Sequence, residues 1–129
     1  MVSFEKFVLE DDVPIYLQII RFVKREIVAG NVQNQEEMPS RRVLSALLGV
    51  NPNTIQKAYR MLEEEQLIES HTGAKSYVVI DTKKVGRIRS QLLKSDSMAV
   101  IKAMKQMGIS KEEALELIDR YWDVDSERS

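Results

Sequence analysis

Residues 38–62 read MPSRRVLSALLGVNPNTIQKAYRML, and the fold turns on how this run is punctuated. Pro39 and Ser40 open a helix, with Ser40 placed to cap it through its hydroxyl. Val43, Leu44, Leu47 and Leu48 recur at helical spacing and predict its buried stripe. Gly49 stops that helix, Val50 is apolar, and Asn51-Pro52 restarts one in the N-cap and N1 places. Helix, short glycine-bearing turn, helix is the outline of a helix-turn-helix.

The third helix is the informative one. Ile55, Ala58, Tyr59 and Leu62 stand at i, i+3, i+4 and i+7 and define a core face. Asn53, Gln56, Lys57 and Arg60 share the opposite face, which carries amides and cations with no acid until Glu63 and Glu64 at the far end. Such a helix can present only its first turns to a polyanion, which is how a recognition helix docks. Between Met38 and Leu62 the ionisable residues are Arg41, Arg42, Lys57 and Arg60, so a local basic face sits on a chain whose net charge is −1. The plainer reading of that patch is a solvated surface.

Outward from this run, Met1 to Asp12 reads as an extended arm with a short strand over Phe4–Leu9. Pro14 opens the first helix, whose stripe is Ile15, Ile19, Ile20, Val23, Ile27 and Val28, with Gln18, Arg21, Lys24 and Arg25 on the other side. Gly30 ends it, and a polar loop follows to Met38. After the third helix, Leu67–Ser70 and Ser76–Ile80 are β-prone runs joined by His71 to Lys75, a hairpin that serves as a wing or as padding for the core. From Asp81 the pattern is helical again, through Val85, Ile88 and Leu92, then Met98, Ile101, Met104 and Lys105. Gly108 is a stop, Ser110 to Glu113 is a capping box, and Ala114, Leu117, Ile118 and Tyr121 form the stripe behind it.

Composition narrows the functions. A chain of 129 residues, 43% hydrophobic and 30% charged, suits one compact domain with a small appendage. The absence of cysteine excludes disulfide and thiolate chemistry, and a lone histidine, His71, cannot furnish an imidazole zinc site. No apolar run approaches the roughly 20 residues of a membrane span and no signal pattern opens the chain, so a cytoplasmic protein with no membrane partner is expected. No nucleophile–base pair or phosphate-cradling glycine loop is present, and Glu63-Glu64-Glu65 reads as a solvated face; neither catalysis nor a cofactor is expected.

The blocks Met38 to Leu44, Leu48 to Thr54 and Ala58 to Glu63 resemble the GntR family of bacterial repressors. Pro14 to Ile19 and the run Asn51-Pro52-Asn53-Thr54 are similar to its YtrA subfamily in particular. The likeness covers Pro14 to Val79, and the short helical appendage also fits. It implies a homodimer on a pseudo-palindromic double-stranded DNA operator, with the second and third helices at the major groove and the wing in the minor groove. The family's arginine at the start of the second helix falls on Arg42. Its recognition-helix contacts fall on Asn51, Asn53, Thr54, Gln56 and Lys57, and its wing-tip glycine on Gly73. Three departures stand out: Gln66 in place of the glycine before the wing, Lys75 in place of a second wing glycine, and Pro52 where many relatives carry arginine.

The expected fold class is therefore α+β, mostly helical. A winged helix-turn-helix occupies residues 1–80 and an all-helical dimerisation region occupies 81–129, with Ile88, Leu92, Ile101, Met104, Leu117, Ile118 and Tyr121 as the dimer contacts. Gln56 and Asn53 are the candidate base readers, because one amide matches the donor–acceptor edge of adenine. Arg42, Lys57 and Arg60 suit phosphates, joined by Arg41 and Lys75; Thr54 suits a phosphate or a thymine methyl, and Asn51 is first an N-cap. A small-molecule effector of unassigned chemistry would sit at the dimer seam or between appendage and winged helix. The alternative function is a winged helix used as a protein-interaction module, its basic stripe facing an acidic partner.

Overall fold

A computed structural model describes residues 1–71 and 75–124, which leaves Gly73 outside the described residues. The order is α1 (Ile15–Val28), α2 (Arg41–Leu48), α3 (Pro52–Glu64), β1 (Ile68–His71), β2 (Lys75–Val78), α4 (Thr82–Gln106) and α5 (Lys111–Tyr121). The chain parts into two compact units, Met1–Ser90 and Gln91–Ser129.

The first unit is built around α3. Ile55, Ala58, Tyr59 and Leu62 are all buried, as their spacing predicts, and they meet Ile19, Val23 and Ile27 of α1, Leu44 of α2, and Leu67, Ile68 and Val78 of the hairpin in one core. The α2 stripe is narrower than expected. Only Leu44 and Ser45 are buried, while Val43 is 55% and Leu47 65% exposed. With eight residues, α2 has too few turns to show which side of an apolar run faces inward. Gln18 is another correction, since it is buried. Its side-chain amide donates to the carbonyls of Glu10 (2.9 Å) and Val13 (2.7 Å) and accepts from the Glu10 N–H (2.8 Å), tying the arm to α1.

The expected strand over Phe4–Leu9 does not form. Phe4, Phe7 and Phe22 instead stack as an aromatic trio, with ring centroids 5.1–6.0 Å apart. A strand needs an open edge to pair with, and the edge of β2 is already taken by the segment read as a polar loop. Met38 N–H donates to the Ser76 carbonyl (2.8 Å) and Gln35 N–H to the Val78 carbonyl (2.7 Å), while Val78 N–H donates to Glu36 (2.9 Å). On its other side β2 pairs antiparallel with β1, in the register Ile68↔Val78 to His71↔Lys75.

Gln66 is held at φ +61°, the left-handed region. The Gln66 N–H reaches the Glu63 carbonyl (2.9 Å) and the Leu67 N–H the Leu62 carbonyl (2.9 Å), the paired bonds that close a helix with a left-handed residue. At Gly108 the same two bonds close α4 with a glycine, at φ +75°. A left-handed side-chain-bearing residue costs about 1–2 kcal/mol, against about 0.5–1 kcal/mol for glycine's extra freedom when unfolded. Gln66→Gly is therefore expected to gain ~0.5 kcal/mol and raise the thermal midpoint by ~2–4 °C; a lower midpoint contradicts this account.

The base of the hairpin is stapled by α4. Lys84 Nζ donates to the carbonyls of Gln66 (2.6 Å) and Val79 (3.3 Å), Asp81 caps the helix through the Lys84 N–H (2.7 Å), and Asn34 accepts from the Ile80 N–H (2.9 Å). Ile88, expected at a dimer seam, is already buried within the single chain at 3% exposure.

The second unit is a different kind of object. Among its described residues none is buried. Ser110 caps α5 by accepting from the Glu113 N–H (3.2 Å), as the capping box predicts. Between α4 and α5 runs an apolar groove of about 710 Å³, lined by Val100, Ile101, Met104, Leu115 and Ile118 among others. No helix among the described residues is long and apolar enough to cross a membrane.

Candidate nucleic-acid interface

The turn that sets α3 is fixed by four local bonds. Gly49 takes φ +67°, and the Val50 N–H donates to the Ser45 carbonyl (3.1 Å) while the Ser45 hydroxyl donates back to the Val50 carbonyl (2.6 Å). Asn51 Oδ1 accepts from the Asn53 N–H (2.8 Å), and the Asn51 carbonyl from the Thr54 N–H (2.9 Å). Asn51 thus caps α3, with Pro52 in the first turn where its missing N–H costs nothing.

Asn53, Gln56, Lys57 and Arg60 are exposed on one face of α3, Thr54 is half-buried, and Arg42 is exposed on α2. Among the described residues, no hydrogen bond engages the side-chain amides of Asn53 and Gln56, and no ion pair engages Arg42 or Arg60. These groups therefore keep their donors, acceptors and charge for an external partner. An exposed Lys75 lies 3.9 Å from Glu37 at the wing.

Arg41 sits differently. Its Nη2 lies 3.2 Å from Glu63 Oε1 and its guanidinium 5.3 Å from the Tyr59 ring centre, with Nε buried and unpaired among the described residues. Glu63 also accepts from the Ser70 hydroxyl of β1. One carboxylate thus links the start of α2, the end of α3 and the wing. Tyr59 completes the arrangement by donating to the Pro39 carbonyl (2.6 Å). Burial pushes its phenol well above the ordinary tyrosine range, and the Arg41 charge opposes that only in part.

Two contacts were not foreseen from spacing. Lys57 Nζ stands 3.9 Å from the centre of the Tyr16 ring, and Lys24 Nζ 2.8 Å from Glu65 Oε1. Each pair joins α1 to α3 across the same sequence interval, so the two helices run side by side in the same sense. Only the equal offset could have signalled it, and an offset has meaning only once the pairing is known.

A family model of "Bacterial regulatory proteins, gntR family" matches residues 15–78. The chain is 32% identical to the HTH-type transcriptional regulator YhcF of Bacillus subtilis over 84% of its own length and 89% of that protein's. The chain belongs to the GntR family. It is also 36% identical to the transcriptional repressor YtrA of Bacillus subtilis, over 61% of this chain and 65% of that one. Among solved structures, a GntR family regulator from Listeria monocytogenes superposes with a TM-score of 0.75 at 32% identity, covering 87% of this chain and 98% of its own. YtrA from Sulfolobus acidocaldarius, a GntR-family transcription factor, superposes at 0.56 with 30% identity over 75% of this chain and 99% of its own. The chain is accordingly a YtrA-like, winged-helix transcriptional regulator and not an enzyme. Within that GntR frame, α2 and α3 form the helix-turn-helix and β1–β2 the wing.

Proposed function

We propose that this protein is a repressor that binds a pseudo-palindromic operator as a homodimer, reading bases with Gln56 and Asn53 and gripping phosphates with Arg42, Lys57 and Arg60. The observation that carries this is the exposed stripe of amides and cations on α3, none of them paired with an acid among the described residues, with Arg42 beside it. Repression is the activity named for the YtrA relative. The region beyond the hairpin, 81–129, supplies dimerisation in this reading. Its support is the apolar surface left open there: Ile101 is 50% exposed, Ile118 44%, Tyr121 57% and Trp122 78%, with Leu92, Met104 and Leu117 half-buried beside them. Covering such surface is worth about 25 cal/mol per Å², and a second copy with the same face does so symmetrically.

Recognition helices of such a dimer span half-sites roughly 34 Å apart. Selection of bound sequences from random duplexes, followed by footprinting, tests the reading directly, and an absence of any two-fold related site counts against it. Arg42→Ala should weaken binding to all duplexes and lower the salt slope by about one. Gln56→Ala should instead relax preference at one base position, by about 1–3 kcal/mol. Wild-type affinity and salt dependence in both variants would remove this surface from the interface.

A further inference from the structure

We propose that Tyr16 is a positioning residue for Lys57, presenting a fully charged ammonium to the operator backbone; the inference rests on the α3 stripe facing DNA. A free lysine on a helix surface samples many rotamers, and a carboxylate partner that fixed it would also cancel its charge. An aromatic face attracts the ammonium through its quadrupole and leaves the whole charge in place. Lys57 lies 3.9 Å from the Tyr16 ring centre, and no ion pair engages it among the described residues.

About two turns further along the same two helices, Lys24 is neutralised by Glu65 at 2.8 Å. At the far end of α3, Arg41 is neutralised by Glu63 at 3.2 Å. Lys24 and Arg41 are thus tied to acids, whereas Lys57 is tied to a ring and to no acid among the described residues. The parallel course of α1 and α3 brings Tyr16, in the first turn of α1, to that end of the head. Tyr16 is half-buried, and its hydroxyl has no hydrogen bond among the described residues, so the ring is the part that acts.

The test is operator affinity as a function of salt for the full-length wild type, Tyr16→Phe, Tyr16→Leu, Lys57→Met and Tyr16→Leu/Lys57→Met. Tyr16→Phe keeps the ring and is expected to stay within about twofold of wild type, while Tyr16→Leu loses about two- to fivefold. Lys57→Met lowers the salt slope by about one. In the Lys57→Met background, Tyr16→Leu should cost nothing further; a merely structural role would cost the same in both backgrounds. Equal losses in both backgrounds overturn the positioning role while leaving Lys57 as a phosphate contact, as does a Tyr16→Phe loss equal to that of Tyr16→Leu. Wild-type affinity and slope in Lys57→Met would instead overturn the assignment of Lys57 to the interface, and the positioning role with it.

Discussion

A fragment ending at Ser90 is expected to stay folded, sediment as a monomer and bind the operator at least ~100-fold more weakly than the full chain. The loss follows from linkage: when two heads are joined, the second half-site is engaged intramolecularly at high effective concentration. The cut belongs at Ser90 and not at the end of the hairpin, because the first compact unit runs to that residue. A fragment ending at Ile80 would lose the buried Ile88 and both Lys84 bonds to the hairpin base. Emptying one buried isoleucine site costs about 2–5 kcal/mol, so the shorter fragment should melt well below the longer one. Sedimentation of the Ser90 fragment as a dimer would refute the proposed role of the appendage, and equal melting of the two fragments would refute the Lys84–Ile88 staple.

Tyr59 should dominate the stability of the reading head. Its side chain is 1% exposed and its hydroxyl donates to the buried Pro39 carbonyl at 2.6 Å. Tyr59→Ala should cost about 3–5 kcal/mol through the cavity, and Tyr59→Phe about 1–3 kcal/mol through the carbonyl left without a donor. Pro39 precedes the Ser40 cap of α2, so the same bond sets where Arg42 emerges. The pH dependence has a definite sign. Tyrosine in the unfolded chain ionises near pH 10, while burial holds the folded phenol neutral to higher pH. The stabilisation is thus fully present well below pH 10 and falls as pH rises through it, at a rate that approaches about 1.4 kcal/mol per pH unit. Denaturant titrations between about pH 10 and 11 should show a loss of stability smaller by about 1 kcal/mol in Tyr59→Phe; an identical loss would show that Tyr59 ionises normally when folded.

What could be read from the sequence was whatever one element states about itself. Asn51 and Ser110 cap helices because each supplies a short acceptor next to unpaired N–H groups, and the capping is local. The core face of α3 is legible because thirteen residues sample the helical period more than three times. What escaped depended on a partner. Phe4 to Leu9 has apolar residues enough for a strand but no free edge beside it, since residues 35–38 hold the edge of β2. Gln18 reads as a surface amide, yet the arm folds over it and satisfies both ends of that amide with backbone groups. Ile88 has the same period as Leu92 but falls on the near side of the boundary between the two units. The exposed face of α3 was therefore largely visible, whereas Tyr16 beside Lys57 required the packing of α1 on α3.

The charge gradient along α3 also bears on how the protein travels. A net charge of −1 gives little overall attraction to a polyanion. Along α3 the uncharged first turn is followed by Lys57 and Arg60 and then by Glu63 and Glu64, with Glu65 at the cap and α1 running alongside in the same sense. The sign of the side-chain charge therefore changes along this one helix, from positive to negative. In the field of a duplex a dipole experiences torque before it experiences much net pull, so collisions are turned towards the productive face while the opposite face is repelled. With α3 facing DNA as proposed, such a gradient is expected to orient an encounter more than it strengthens unproductive adhesion, unlike a uniformly basic surface of the same size.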